Sequence, residues 1–219
     1  MEKHFWLDRW QQQQIGFHQS DINAHLKKHW AALFPEQENR TVLVPLCGKS
    51  LDMLWLSRQG HAVIGVELSE LAVKDFFAEN SLPCAEEKRG DFNAFLAENL
   101  TVLHGDFFDL RQQDVVAASC VYDRAALVAL PSEMRSNYAN HLAKLLMPGS
   151  CVLLITMDYP QQQMSGPPFS VDARQVKQLF EQDFDIELLD SLDVLAGNPR
   201  LAERGLSRMW EYVWKLTRC

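Results

Sequence analysis

Residues 41–50 read TVLVPLCGKS, and residues 60–70 read GHAVIGVELSE. Each stretch contains a short run of apolar residues that ends in a polar loop. Runs that are apolar throughout are typical of strands in a parallel sheet, which is covered on both faces. Between them, residues 50–59 place apolar side chains at helical spacing and precede a glycine, which predicts a helix and its end. Together these segments predict a βαβ unit.

Further along the chain, β-branched runs keep alternating with longer amphipathic stretches, which predicts an α/β fold around a mostly parallel sheet. Additional strands are predicted at 101–104, near 121–124, and at 150–158, 184–190 and 208–217, with helices at 70–79, 131–146 and 172–181. Residues 81–100 have weak periodicity and are interpreted as an excursion from the sheet that forms a helix or a hairpin. Residues 159–170 are rich in Pro, Gly and Gln, and their length favours a lid or rim loop.

The length of 219 residues suits one domain with a generous core, whereas two domains would each have a thin one. We expect a single domain over residues 1–219. In it, residues 1–40 form an amphipathic helical cap over one end of the sheet, and residues 41–219 form the Rossmann-like core.

The composition favours a small-molecule partner. A net charge of -8 repels nucleic acid and anionic membrane surfaces. The apolar stretches are too short to span a bilayer, and the N-terminus lacks the apolar core of a signal peptide. Five scattered cysteines without a C-x-x-C pair disfavour a disulfide framework and a zinc site. We therefore expect a cytoplasmic protein, and nothing in the sequence demands more than a monomer.

Gly48, Lys49 and Ser50 match the end of a phosphate-binding loop, but the beginning of that motif is absent. Leu43 stands where the first glycine belongs, and Pro45 has no N–H to donate. A single glycine also disfavours a dinucleotide, because a pyrophosphate needs close backbone approach over several glycines. One close approach suffices for the amino acid group of S-adenosylmethionine. The loop is therefore predicted to hold a nucleoside without phosphates.

Ligands of open α/β sheets bind beyond the carboxyl ends of the strands, which makes the strand ends the candidate site. Glu67 ends its predicted strand 19 positions after Gly48, where such folds bind a ribose diol through a carboxylate. A carboxylate there would also repel a 2′-phosphate, which argues against NADP. The ordinary alternative is that Glu67 is a solvated residue at a strand end. The other candidates are Leu46, Asp106-Phe107 and Asp123-Arg124.

Five segments together resemble the bacterial form of thiopurine S-methyltransferase, and the resemblance spans nearly the whole chain. These segments are Trp10 to Gln19, VPLCGKSLDMLWL at 44–56, GHAVIGVELSE at 60–70, YDRAALVAL at 122–130 and GPPFSV at 166–171. The resemblance implies a class I methyltransferase fold with a doubly wound, seven-stranded sheet whose last strand is antiparallel. It also implies S-adenosylmethionine as the methyl donor and a thiol as the small-molecule acceptor.

The resemblance also implies roles for single residues. Trp10, Leu46, Glu67 and Arg124 match cofactor-contacting positions of the family, as do Asp106 and Phe107 at the adenine. Gly48 is added to this set, because its lack of a side chain allows the cofactor to approach the backbone closely. Phe17 matches a position lining the thiopurine pocket, and Arg204 matches an arginine near the substrate. No residue is assigned as an indispensable base, since a thiopurine sulfur is already acidic.

Each assignment has an ordinary alternative. Trp10 and Phe17 could be plain packing residues of an amphipathic segment. Arg124 could pair with Asp123 or Glu67. His25 and His29 lie four residues apart, but no HExxH glutamate accompanies them, and no metal site is predicted. Cys47 is more commonly a small buried thiol than a nucleophile.

Three functions follow in order of support. The first is methyl transfer to the sulfur of thiopurines or related aromatic and heterocyclic thiols, extending in bacteria to selenium or tellurium compounds. The second is a nicotinamide-dependent oxidoreductase, which would need the glycine-rich loop that this chain lacks. The third is a non-catalytic nucleoside-binding module, which would bind the cofactor without turning over a thiol.

Overall fold

The computed structural model describes residues 3–34, 39–203 and 205–219. Contacts divide the chain into two compact units, Met1–Tyr122 and Asp123–Cys219. Both units combine helices with strands, as the α/β prediction requires. The single domain over residues 1–219 stays a prediction.

The first unit begins with two helices and continues as a βα alternation. Its helices are α1 (Lys3–Gln11), α2 (Ala24–Leu33), α3 (Asp52–Arg58) and α4 (Glu70–Glu79). Its strands are β1 (Thr41–Pro45), β2 (Ala62–Glu67), β3 (Ala85–Arg89), β4 (Phe92–Ala97) and β5 (Leu100–His104), followed by β6 (Ala118–Arg124), whose last two residues belong to the second unit. These strands are ordered β3-β4-β5-β2-β1-β6 in the sheet.

The centre of this sheet is parallel, as the apolar runs predict. Strand β1 pairs in parallel with β2 and β6, and β2 pairs in parallel with β5. Val42, Leu43 and Val44 of β1 are all buried, because a central parallel strand has both faces covered. The predicted βαβ unit is therefore confirmed, with α3 as its helix.

Local signals also place the helix ends correctly. Ser69 precedes α4, and its hydroxyl accepts the N–H of Ala72 at 3.2 Å, which is the capping bond expected of a serine there. Gly60 follows α3 with a φ of +91°, a conformation that favours glycine and ends the helix.

Residues 81–100 contain an antiparallel hairpin, β3 with β4, and β4 also pairs antiparallel with β5. The described part of the chain therefore has nine strands, and the prediction of seven is wrong by this hairpin. All five residues of β3 are exposed, so the strand has no apolar pattern to reveal it. Gly90 makes the turn with a φ of +56°, and the partner strands supply the hydrogen bonds that hold it.

The N-terminal segment is helical, as expected. Asn23 caps α2 by accepting the N–H groups of His25 and Leu26. Near the other end of α2, the indole N–H of Trp30 donates to Nε2 of His61 at 2.9 Å. Burial and the nearby Arg40 charge lower the pKa of His61, which keeps the ring neutral and able to accept this bond.

In the second unit, the described residues form the helices α5 (Ser132–Leu145), α6 (Ala173–Phe180) and α7 (Pro199–Glu203), and the strands β7 (Cys151–Asp158), β8 (Phe184–Asp193) and β9 (Trp210–Arg218). The strand order is β7-β9-β8, and β9 is antiparallel to both neighbours. The predicted antiparallel last strand is confirmed. The short helix α7 was not predicted.

Within the loop at 159–170, the side chain of Gln161 forms hydrogen bonds to several other residues of the loop. The Gln161 amide donates to the carbonyl of Met164 at 2.7 Å and to the Tyr159 hydroxyl at 3.2 Å. Its oxygen accepts the N–H of Ser170 at 2.9 Å. The Tyr159 hydroxyl itself donates to the carbonyl of Pro168. Polar side chains therefore give this loop a defined conformation.

No helix in the described ranges is both long and apolar enough to cross a bilayer. None of the five cysteines forms a disulfide: Cys47, Cys120 and Cys151 are buried, whereas Cys84 and Cys219 are exposed. Burial raises the pKa of the Cys47 thiol well above its ordinary value, and the negative charge of Glu67 raises it further. A thiol held neutral in this way is a poor nucleophile.

We expect iodoacetamide to modify the native protein at Cys84 and Cys219 only, because alkylation needs an accessible thiolate. Peptide mass spectrometry after brief labelling at pH 8 measures this, and labelling in denaturant serves as the control in which all five cysteines react. Native labelling of Cys47 at the rate of Cys84 would contradict the buried, neutral thiol.

The second unit contains a buried carboxylate at its start. The Tyr138 hydroxyl donates to Asp123 Oδ2 at 2.7 Å, and the N–H of Leu127 donates to Oδ1 at 3.2 Å. Asp123 is fully buried, and burial raises its pKa from 3.8 to about 6 despite these hydrogen bonds. The native state therefore binds more protons than the unfolded chain between these two pH values.

The free energy of unfolding should fall as pH rises from about 4 to about 6, with Asp123 contributing about 3 kcal/mol of this loss. Asp123→Asn removes the titration but keeps an oxygen for Leu127. Denaturant unfolding of both proteins from pH 4 to pH 7 measures the difference, which should shift in favour of the variant as pH rises. A difference that is constant with pH would show that Asp123 does not titrate in this range.

Candidate active site

The loop after β1 has an unusual backbone. Leu46 and Gly48 both have a positive φ, +48° and +51°, which is a strained conformation for leucine. The N–H of Cys47, between them, donates to the carbonyl of Val66 at 2.9 Å. The loop therefore lies against the carboxyl end of β2, and this hydrogen bond to β2 helps to hold its conformation.

Glu67 is the residue that closes this loop. Its Oε2 accepts the N–H of Gly48 at 2.8 Å, and its Oε1 accepts the N–H of Ser69 at 2.8 Å. The side chain is only 6% exposed, so the alternative of a solvated strand-end residue is wrong. Burial raises the pKa of Glu67, while the N–H groups of Ser69 and Gly48 oppose the rise by favouring the carboxylate.

Trp10 and Phe17 come from the N-terminal segment. The Trp10 ring lies over Gly48, with its Cζ2 3.0 Å from the position that a Cβ would take there. Phe17 packs edge-on against Trp10, with ring centroids 5.4 Å apart, and against Trp6 at 5.5 Å. The structure thus places Trp10 on the glycine of the loop and Phe17 against Trp10.

Asp106 and Phe107 follow β5 at the same edge of the sheet. The N–H of Gly105 donates to the backbone carbonyl of Glu67 at 2.9 Å, which places this turn beside the end of β2. Asp106 Oδ1 accepts the N–H of Phe108, and Oδ2 pairs with Lys3 Nζ at 2.6 Å. Phe107 is buried at the start of a 3-10 turn, Phe107–Asp109.

The other two predicted site residues do not belong to the first unit. Arg124 ends β6 and belongs to the second unit, between the buried Asp123 and Ala125, whose φ is +74°. Arg204 lies outside the described residues. The first unit therefore gathers seven of the nine predicted site residues, which are Trp10, Phe17, Leu46, Gly48, Glu67, Asp106 and Phe107.

Sequence reasoning missed the contacts that hold these residues. Lys3 pairs with Asp106, which is 103 positions away, and no pattern links the two. Lys49, the lysine of the GKS tripeptide, is buried and pairs with Glu79 of α4 at 2.6 Å. Its ammonium is therefore engaged by a helix, unlike the lysine of a P-loop, which reaches phosphates.

The donor set fits a nucleoside with a cationic tail. An ionised carboxylate offers about four lone-pair positions, and Glu67 uses part of this capacity for the backbone N–H groups of Gly48, Ser69 and Leu68. A remaining position is able to accept a hydroxyl hydrogen of a ribose. Trp10 occupies the space that a side chain at position 48 would need, and Phe107 is a buried aromatic residue at the same edge of the sheet. S-adenosylmethionine contains a ribose that suits the carboxylate and a positive charge that suits its sign.

Solved structures share this fold. An S-adenosylmethionine-dependent methyltransferase from Anabaena variabilis matches with a TM-score of 0.65 over 99% of this chain and 95% of that chain, at 15% identity. The 1,6-didemethyltoxoflavin-N1-methyltransferase of Burkholderia thailandensis, solved with S-adenosylhomocysteine, matches with a TM-score of 0.61 over 98% and 87%, also at 15% identity. The predicted class I methyltransferase fold is confirmed.

The family is shown by sequence. The family model described as Thiopurine S-methyltransferase (TPMT) matches residues 1–219. The thiopurine S-methyltransferase of Shewanella baltica is 48% identical over 218 residues, covering 100% of both chains. That of Nitrosospira multiformis is 48% identical over 216 residues, covering 99% of this chain and 98% of the relative. The chain therefore belongs to the thiopurine S-methyltransferase family and is a methyltransferase that uses S-adenosylmethionine.

Proposed function

We propose that this protein transfers the methyl group of S-adenosylmethionine to the sulfur of thiopurines or related aromatic and heterocyclic thiols. The observation that carries the proposal is the 48% identity, over the full length of both chains, with a relative named for this reaction. The Glu67–Gly48 site supports it, because the site suits the nucleoside of the methyl donor.

The proposed cofactor contacts divide by chemistry. Glu67 accepts hydrogen bonds from the ribose hydroxyls, and its negative charge stabilises the positively charged donor. Leu46 and Gly48 approach the methionyl part through their backbone, with Trp10 covering Gly48. Asp106 and Phe107 hold the adenine, and Arg124 is a further proposed cofactor contact. S-adenosylmethionine supplies an electrophilic methyl group on a sulfonium.

For the acceptor, we propose that Phe17 packs against the heterocycle and that Arg204 favours its thiolate form through positive charge. Holding the acceptor sulfur aligned with the bound methyl donor would lower the activation barrier by about 7 to 11 kcal/mol. No strong base is then needed, because a thiopurine sulfur loses its proton readily. Cys47 takes no covalent part, since its thiol is buried and neutral.

We also propose a monomeric, cytoplasmic enzyme with one domain over residues 1–219. The family match over the whole chain supports the single domain. The net charge of -8 supports a protein that binds neither nucleic acid nor an anionic membrane. Five cysteines without a disulfide suit a reducing compartment.

The direct test is to incubate the purified protein with S-adenosylmethionine and 6-mercaptopurine and to follow the products by mass spectrometry. We expect S-methylated purine and S-adenosylhomocysteine to form in equal amounts, with neither product in the absence of the thiol. Calorimetric titration with S-adenosylmethionine, run in parallel, measures cofactor binding separately. Cofactor binding without turnover of any aromatic thiol would reject the proposed acceptor class.

Glu67→Gln should weaken cofactor binding about 10- to 100-fold, because a hydrogen bond to a charged acceptor is replaced by a neutral one. The new amide also faces the N–H group of Gly48 or Ser69 with a donor. Titration calorimetry measures the dissociation constant. Glu70→Gln is the matched control, since Glu70 is an exposed neighbouring carboxylate that pairs only with Lys74 of its own helix in the contacts observed. Equal affinity of the Glu67 variant and the control would refute the ribose role.

A further inference from the structure

A second buried carboxylate lies next to the proposed cofactor loop. Asp52 is the first residue of α3, two positions after Ser50 at the end of PLCGKS, and it is 0% exposed. Its Oδ1 accepts the backbone N–H of Asn23 at 2.8 Å, and its Oδ2 accepts the hydroxyl of Tyr122 at 3.0 Å. Asp52 thereby joins three segments that are far apart in the sequence.

The Asn23 end of this connection belongs to the N-terminal segment. Asn23 uses its side-chain oxygen to cap α2, so its backbone N–H is the group left for Asp52. Its side-chain amide lies 3.5 Å from the Gln19 oxygen, which extends the connection toward Phe17. The capping asparagine therefore attaches both α2 and the preceding turn to α3.

Between α1 and α2, residues 12–23 are held at both ends. At one end, Trp10 packs on Gly48, and at the other, Asn23 donates to Asp52. Phe17 lies between these anchors and packs on Trp10. The Asp52 anchor is a buried, charge-assisted hydrogen bond, which is stronger than a neutral one. The second anchor thus restricts where Phe17 can lie relative to the loop.

We propose that Asp52 is a positioning residue for the acceptor side of the active site: it fixes residues 12–23, and with them Phe17, without contacting either substrate. This inference rests on the proposed function, because Phe17 is proposed to contact the acceptor. Gly48 has its own anchor in Glu67. Loss of Asp52 should therefore affect the acceptor much more than the cofactor.

The substitutions Asp52→Ala and Asp52→Asn separate the two roles of the side chain. Alanine removes the acceptor for Asn23, whereas asparagine keeps an oxygen for it and requires Tyr122 to turn its hydroxyl. For Asp52→Ala we expect KM for 6-mercaptopurine to rise at least about tenfold, with the dissociation constant of S-adenosylmethionine changed by less than about threefold. Asp52→Asn should recover most of the loss.

Hydrogen exchange of the Asn23 amide gives a readout that does not depend on activity. This N–H donates to a fully buried carboxylate, so it should exchange slowly in the wild type and fast in Asp52→Ala. Trp214→Phe is the control for lost stability, because it removes a buried 3.0 Å hydrogen bond to Thr156 in the second unit. It should leave KM and the Asn23 exchange rate unchanged.

Unchanged exchange at Asn23 in Asp52→Ala would overturn the anchor, whatever the enzyme methylates. Fast exchange together with an equal loss of cofactor and acceptor binding would overturn the selective positioning of Phe17. If Asp52→Ala does not fold, Tyr122→Phe tests the same anchor, since it removes the hydroxyl that donates to the Asp52 carboxylate. We expect it to raise the Asn23 exchange rate and KM in the same direction by a smaller factor, and no change in either would reject the proposal.

Discussion

The first unit depends on one interaction, the Glu67 carboxylate that binds the N–H groups of Gly48 and Ser69. The loop after β1 and the turn after β2 therefore donate hydrogen bonds to the same carboxylate. This contact stabilises the left-handed backbone of Leu46 and Gly48. The position of Trp10 on Gly48 follows from this loop conformation. Burial keeps the Cys47 thiol neutral, and the nearby Glu67 charge disfavours the thiolate further.

Glu67, Asp52 and Asp123 are buried carboxylates that are satisfied in related ways. Glu67 accepts hydrogen bonds from backbone N–H groups, whereas Asp52 and Asp123 each accept from backbone N–H and from a tyrosine hydroxyl. Burying a carboxylate is unfavourable unless hydrogen bonds replace its water, and each of these carboxylates has at least two. Each of these carboxylates also connects a loop or a helix end to another segment of the chain.

The site is therefore organised around backbone N–H groups and carboxylates, with aromatic side chains laid over them. This arrangement suits a reaction in which alignment matters more than proton transfer. Glu67 is anchored before a ligand arrives, which lowers the ordering that binding requires. Residues 12–23 carry Phe17, the proposed acceptor contact, and they are attached through its packing on Trp10 and through the Asn23–Asp52 hydrogen bond.

Local patterns were sufficient for elements that their own residues stabilise. Strands β1 and β2 were predicted from apolar runs, and α4 from its serine cap, because burial and capping act within a few residues. The hairpin β3–β4 was not identified firmly, because the exposed β3 takes its conformation from pairing with β4, and β4 from pairing with β5. The positions of Gly48 and Glu67 in the sequence predicted a ribose site without phosphates, and the resemblance of five segments to a known family implied the cofactor. The burial of Glu67, the Lys3–Asp106 pair and the Asn23–Asp52 anchor join residues 19 to 103 positions apart. Such contacts have no sequence period, so they follow only from the way the folded chain brings distant loops to one edge of the sheet.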